Sequence, residues 1–293
     1  NCARAASWYF SIEPSHRQVG YWSLMNVMLA GEAIKYLTAT GPLLGEPAKA
    51  ALVRREVPLV EGISSIVVEN LIYNLTVFLF MLAGLPALAM VADVPGKLEV
   101  GAYVFASLII LAVFFTWLAI RGRWYVLARM VERAARLMSR RDRQGSRAAR
   151  FAPIIGRVRA VEKNVYLFYE RRKAAFFLIF AVNVAAHLIN VVEVYIILSL
   201  MGLPASLSSG FAIEAVTKVI NAAFFFVPTR AGVYESGNAI VLKALGMEAG
   251  AGVALAIIRK LRAFIWVGYG LAVIALLTLR DRRADALREA ERC

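Results

Sequence analysis

The sequence predicts an all-α, polytopic transmembrane helical bundle of about six to eight passes. Three observations carry this. Hydrophobic residues make up 60% of the chain and charged residues 18%, where a soluble domain is nearer half apolar and a quarter charged. Apolar stretches of roughly the 20 residues that a bilayer requires recur from end to end. None of them alternates with the two-residue period of a strand, and lipid accommodates only helices and closed barrels. Residues 1–293 are read as a single integral membrane domain.

The first eighteen residues, "NCARAASWYFSIEPSHRQ", are too short and polar to span and lack the apolar core of a signal peptide. Trp8, Tyr9 and Phe10 suit a membrane interface, and a further helix is expected to precede Asn1. Spans are then expected at 20–39, 63–83, 101–120, 174–200, 207–227 and 253–279. Cys2 and Cys293 sit at opposite ends, and His16 and His187 are isolated. That spacing offers no disulfide framework, no metal site and no cofactor motif. The glycosylation sequon at Asn74-Leu75-Thr76 lies inside an apolar helix, out of a transferase's reach.

Between the third and fourth spans, residues 121–173 hold 16 Lys/Arg against four acids, a surplus of +12 out of the total +14. Positive charge beside spans marks the cytoplasmic side, so this basic loop is placed there, in the cell (inner) membrane. Part of it, "WYVLARMVERAARLMSR", is helical and amphipathic, a pattern that can lie on an anionic leaflet. Topology accounts for the charge, and no aromatic-basic RNA motif accompanies it, so nucleic acid is not a partner. The polar tail, 280–293, mixes five arginines with four acids.

Two breaks interrupt the apolar pattern. After the first expected span come Pro42, Gly45 and Glu46; after the fifth come Pro228, Gly232 and Glu235. A proline ends a helix and a glycine lets the backbone turn or approach closely. Each break continues into a short apolar piece of about ten residues, which cannot span and reads as re-entrant. Each then enters a long apolar helix with polar groups near its start: Glu69, Asn70 and Asn74, or Arg259, Lys260 and Arg262. Placing Glu46 on Glu235 sets Asn70 on Arg259 and makes an internal repeat. Broken helices in corresponding positions point to a transporter's binding site, because irregular backbone survives at membrane depth only beside protein or a wet cavity.

Charges inside spans are costly, about 2.5–3.5 kcal/mol each on insertion, and usually functional. Glu32 with Lys35, and Glu214 with Lys218, are spaced to pair along one helix face. Glu69 and Arg259 are placed to pair across the repeat interface, while Lys260 and Arg262 have stems long enough to snorkel.

At these residues the chain resembles the membrane region of lysylphosphatidylglycerol synthases and their free-standing, flippase-like relatives. The resemblance rests on "GEPAK" (Gly45, Glu46, Pro47, Lys49), Glu69 in "VVEN", "PTRAGVYE" (Pro228, Gly232, Glu235), Gly246 in "ALG", and Arg259 in "IIRKLR". One departure is that an arginine often follows the first-repeat glutamate in that family, and here Asn70 stands there. The resemblance implies a protein that moves lipids across a bilayer: aminoacylated phosphatidylglycerol, hopanoids or polyprenyl-linked sugars. The synthases' soluble aminoacyl-transfer domain is not in this sequence, so their enzyme activity is not carried over. The leading expectation is a translocase whose head-group groove is lined by Glu46, Lys49, Glu69, Asn70, Arg230, Glu235 and Arg259. Arginine suits phosphate through its bidentate fork. No ATP-binding motif is present. The alternatives are a membrane enzyme acting on lipid-linked substrates, for which no nucleophile or metal pair is visible, and a non-catalytic partner of a lipid-modifying enzyme.

Overall fold

The computed structural model describes residues 1–38, 41–91, 96–139, 146–224, 227 and 231–290. Among these residues there are eleven α-helices and no strand. In chain order they are α1 (Cys2–Ser11), α2 (Tyr21–Leu37), α3 (Pro42–Val53), α4 (Leu59–Val91), α5 (Gly96–Arg121), α6 (Val126–Ser139), α7 (Ser146–Arg171), α8 (Lys173–Leu200), α9 (Leu207–Ala223), α10 (Val233–Ala244) and α11 (Ala249–Ala290). The chain is a helical membrane bundle. Four helices hold stretches long and apolar enough to cross a membrane: Leu59–Gly84, Val104–Arg121, Lys173–Leu200 and Ala249–Arg280. All six expected spans are helical, but α2 and α9 have only 17 residues each. At 1.5 Å per residue they are roughly 25 Å long, at the short end of what a bilayer asks.

The repeat is visible in the helices. A 17-residue helix, a 12-residue helix and a long helix follow one another as α2–α3–α4 and again as α9–α10–α11. Both 12-residue helices are too short to span. Each begins at a glycine with positive φ: Gly41 at +38° and Gly232 at +81°. Only glycine adopts such angles without a steric cost. The turning glycine of the first break is therefore Gly41, not Gly45. Gly45 lies inside α3, where a Cβ would meet the Lys35 Cβ at 2.7 Å and the Gly31 carbonyl at 2.8 Å. Its role is close helix approach. Pro42 is the first residue of α3, and Pro228 lies outside the described residues.

The halves interlock. Within each, the short helix packs on both of its neighbours; between them, α2 packs against α11 and α9 against α4. In lipid, helices associate by close packing and interhelical polar contacts rather than by hydrophobic expulsion, which favours small residues at crossings. Such residues sit at these crossings: a Cβ on Gly84 of α4 would overlap Ala215 of α9, and one on Gly270 of α11 would overlap the Leu29 carbonyl of α2. One apolar core joins α1 to α4 around Trp8, Leu24, Met28, Val53 and Ile66. Another joins α8 to α11 around Leu198, Ile213, Leu242 and Leu255.

Three features add detail to the expectations. The segment expected at the membrane interface is the buried helix α1: Trp8 is 2% exposed and its indole donates to Ser65 Oγ at 3.0 Å. A buried indole needs such an acceptor, and α4 supplies it. The basic region, expected to be helical in part, holds two helices among its described residues, α6 and α7. α11 continues from the sixth expected span into the polar tail, as far as Ala290.

Candidate functional site

The charged residues gather in two clusters, one per half. In the first, the Arg4 guanidinium of α1 grips Glu69 of α4 with two hydrogen bonds, Nε to Oε1 at 3.0 Å and Nη2 to Oε2 at 2.8 Å. It also donates to Asn70 Oδ1 at 3.2 Å and lies 4.2 Å above the Tyr73 ring. Lys49 Nζ, almost fully buried, reaches Glu32 at 2.9 Å and Glu46 at 3.1 Å. Lys35 meets the same two carboxylates at 3.5 and 3.7 Å, so the expected Glu32–Lys35 pair is one edge of a larger network. Three cations face three carboxylates, and each cation has at least one acidic partner. Asn70 is satisfied from both sides, since its amide also donates to the Ile66 carbonyl at 3.0 Å.

The second cluster is built differently. Arg259 of α11 donates through Nη2 to Glu214 of α9 at 2.7 Å, and Glu193 of α8 lies 3.9 Å away. Glu214 also takes Lys218 at 2.9 Å, the pair expected from their spacing. Arg262 pairs with Glu193, and Lys260 pairs with Glu235. Both cations, whose stems are long enough to snorkel, are paired with carboxylates. Glu235 also accepts the Gly232 N–H at 2.9 Å, capping α10. Four cations here face three carboxylates among the described residues.

Between α9, α10 and α11 this cluster walls a cavity of about 210 Å³. Tyr36 and Asn190 line it, with Lys218, Asn221, Tyr234, Arg259 and Lys260 among the rest. Arg259 is only 7% exposed, yet its Nε and Nη1 find no hydrogen-bond partner among the described residues, and neither does Asn221 Oδ1. A buried donor without a partner costs about 1–3 kcal/mol, more when charged. A larger cavity of about 300 Å³ lies between the α1–α2 linker, α4 and α7. Among its polar groups, Glu61 accepts from the Glu13 N–H and from Asn164, and Arg172 donates to the Phe10 and Ser11 carbonyls.

The expected site residues thus divide. Glu46, Lys49, Glu69 and Asn70 meet in the first cluster; Glu235 and Arg259 belong to the second; Arg230 lies outside the described residues. The expected Glu69–Arg259 pair does not form. Each has a nearer partner of opposite charge, Arg4 and Glu214 respectively. Sequence reasoning missed Arg4 altogether. The signal available was its place one turn before Trp8 on an otherwise small and aromatic helix face.

A comparison with protein-family models matches residues 1–280 to the lysylphosphatidylglycerol synthase TM region. No curated protein and no solved structure matches the chain. The chain belongs to the lysylphosphatidylglycerol synthase transmembrane-region family, and so is a membrane protein linked to lipid handling, with membrane lipids as its partners.

Proposed function

We propose that this member of the family is a lipid translocase and that the cavity of the second half takes the lipid's anionic head group. The observation that carries the reading is Arg259, buried on the cavity wall with two N–H donors free. Phosphate oxygens accept charge-assisted bonds from guanidinium N–H groups, and because Nε and Nη1 point to different edges of the guanidinium plane each takes its own acceptor. Lys218 and Lys260 add positive charge, and the Asn221 carbonyl offers an acceptor to a hydroxyl or ammonium elsewhere on the head group. About 210 Å³ has room for a head group but not for acyl chains, which would stay in the lipid between helices. The arrangement follows the rule that transporters bind at broken helices of paired repeats. Under this reading the α6–α7 region faces the cytoplasm of a cell whose inner membrane holds the chain.

The test is lipid translocation by the full-length protein in proteoliposomes. Labelled anionic, zwitterionic and lysyl lipids are compared for wild type, Arg259→Ala and Glu235→Gln at equal reconstituted density. Wild type is expected to move one lipid class, and Arg259→Ala to lose at least about tenfold of that rate, the equivalent of 1.4 kcal/mol. A wild type that moves no lipid, or an Arg259→Ala variant that matches it, overturns the reading. Attention then passes to a partner enzyme working beside this chain.

A further inference from the structure

The helix α6 presents three faces, and only one is explained by the fold. Ala128, Glu132 and Ala135 turn toward α7. There the Glu162 carboxylate of α7 caps α6 by accepting the Leu127 N–H at 2.8 Å and the Ala128 N–H at 3.1 Å. Opposite them, Leu127 (51% exposed), Met130 (61%) and Leu137 (64%) form an exposed apolar stripe. They recur at the three-and-four spacing of one helix face. Along one margin of that stripe stand the exposed Arg129 and Arg133.

We infer that this face of α6 is a docking surface for the anionic leaflet of the membrane in which the chain sits. Two observations choose that occupant. The first is position: α5, an apolar helix, ends at Arg121, whose guanidinium lies 5.4 Å over the Trp117 ring. That is the pairing of an interface belt. α6 starts at Val126, so it leaves the bilayer surface by only a few residues. The second is charge: residues 121–173 carry a surplus of +12. Juxtamembrane arginines are drawn to anionic head groups, and leucine and methionine beside them enter the acyl boundary. The α7 contact fixes the roll of α6, so its apolar stripe points away from the hairpin rather than into it. This surface is separate from the translocation cavity and does not depend on it.

The experiment uses the full chain with Cys2 and Cys293 replaced by serine, in nanodiscs of phosphatidylcholine alone or of equal parts phosphatidylcholine and phosphatidylglycerol. A single cysteine carrying a spin label is moved through positions 126–137. Collision with oxygen, which concentrates in lipid, is compared with collision with a water-soluble nickel chelate. Oxygen is expected to dominate at 127, 130 and 137 and the chelate at 129 and 133, with 128 and 135 shielded from both. That last pair reports that the hairpin is folded. Adding Arg129→Gln and Arg133→Gln is expected to abolish the gain in oxygen contact that phosphatidylglycerol brings. A chelate that reaches 130 and 137 as readily as 129 and 133 overturns the proposal. So does shielding of 130 and 137 from both reagents, which would mean that a second copy or another protein covers the stripe. Oxygen contact that is equal with and without phosphatidylglycerol overturns the role given to the anionic leaflet.

Discussion

The two halves of the bundle put a buried charge at the same place and give it opposite sign. Counting from the first residue of each long helix, Leu59 or Ala249, the eleventh is Glu69 in one half and Arg259 in the other. Glu69 is met by an arginine from α1, outside the repeat, and the surrounding charges cancel. Arg259 is met by a glutamate from α9, inside the repeat; the surrounding charges leave one cation in excess, and a cavity opens beside it. The difference teaches that one backbone plan supports either a closed clamp or an open socket. Which of the two forms depends on whether a side chain from elsewhere fills the central position.

The largest way to break that comparison is to remove the clamp. Arg4→Ala leaves Glu69 buried without its cation and is expected to destabilise the protein by about 3–5 kcal/mol, read as a fall in melting temperature in detergent. Arg4→Met with Glu69→Leu should recover most of the loss, because the unpaired charge is gone. If Arg4→Ala melts like wild type, the first cluster is not a structural clamp.

Next in size is a matched pair of glycines. Gly62 and Gly252 are each the fourth residue of their long helix and face the short helix before it. A Cβ on Gly252 would overlap the backbone of Asn238 and Ala239, while one on Gly62 would rest 3.7 Å from Val53. Gly252→Ala is expected to cost about 1–3 kcal/mol through overpacking. Gly62→Ala should be neutral or stabilising by up to about 1 kcal/mol. Equal melting shifts would mean that the two short helices are seated alike.

Smaller in stability, though decisive for the socket, is Arg259→Gln. Lys218 still holds Glu214 in that variant, so its melting temperature should fall less than that of Arg4→Ala. A short-chain anionic phospholipid should raise the melting temperature of wild type, as any ligand of the native state does, and should leave Arg259→Gln unmoved.

The smallest effect belongs to a pair outside the comparison. Arg123 hydrogen-bonds both oxygens of Glu170 and holds that carboxyl below its ordinary range. The pair's contribution is present above the unfolded carboxyl value and fades as pH falls through the lower folded one. Both groups are exposed to water, so Glu170→Gln should leave the melting temperature at pH 7 nearly unchanged.

Much of this was legible in the sequence. Composition and apolar run length were enough for the bundle, and the six long apolar stretches all became helices. The repeat could be read from Pro42, Glu46, Pro228 and Glu235, but its register came out one residue off, setting Asn70 on Arg259. The cause is local: Glu46 is the fifth residue of α3 and Glu235 the third of α10, a slip of two, and the linkers, five residues at 54–58 and four at 245–248, give one of them back. The partners were the illegible part. Glu69 is held by a residue 65 positions earlier and Arg259 by one 45 positions earlier. Helical periodicity speaks only for neighbours three or four apart, as it did for Glu214 with Lys218.

The interlocked packing sets a timetable for synthesis. α2 finishes at Leu37, but α11, one of the helices it packs against, begins only at Ala249. At roughly 5–20 residues per second, more than two hundred residues of translation hold it without that partner for about 10–40 s. During that interval Glu32 and Lys35 already have α3 for company, and the small-residue crossing at Leu29 and Ala33 waits for Gly270. The seam on α2 is therefore closed only by α11, and a nascent chain stalled before α11 exposes it to whatever surveys the membrane.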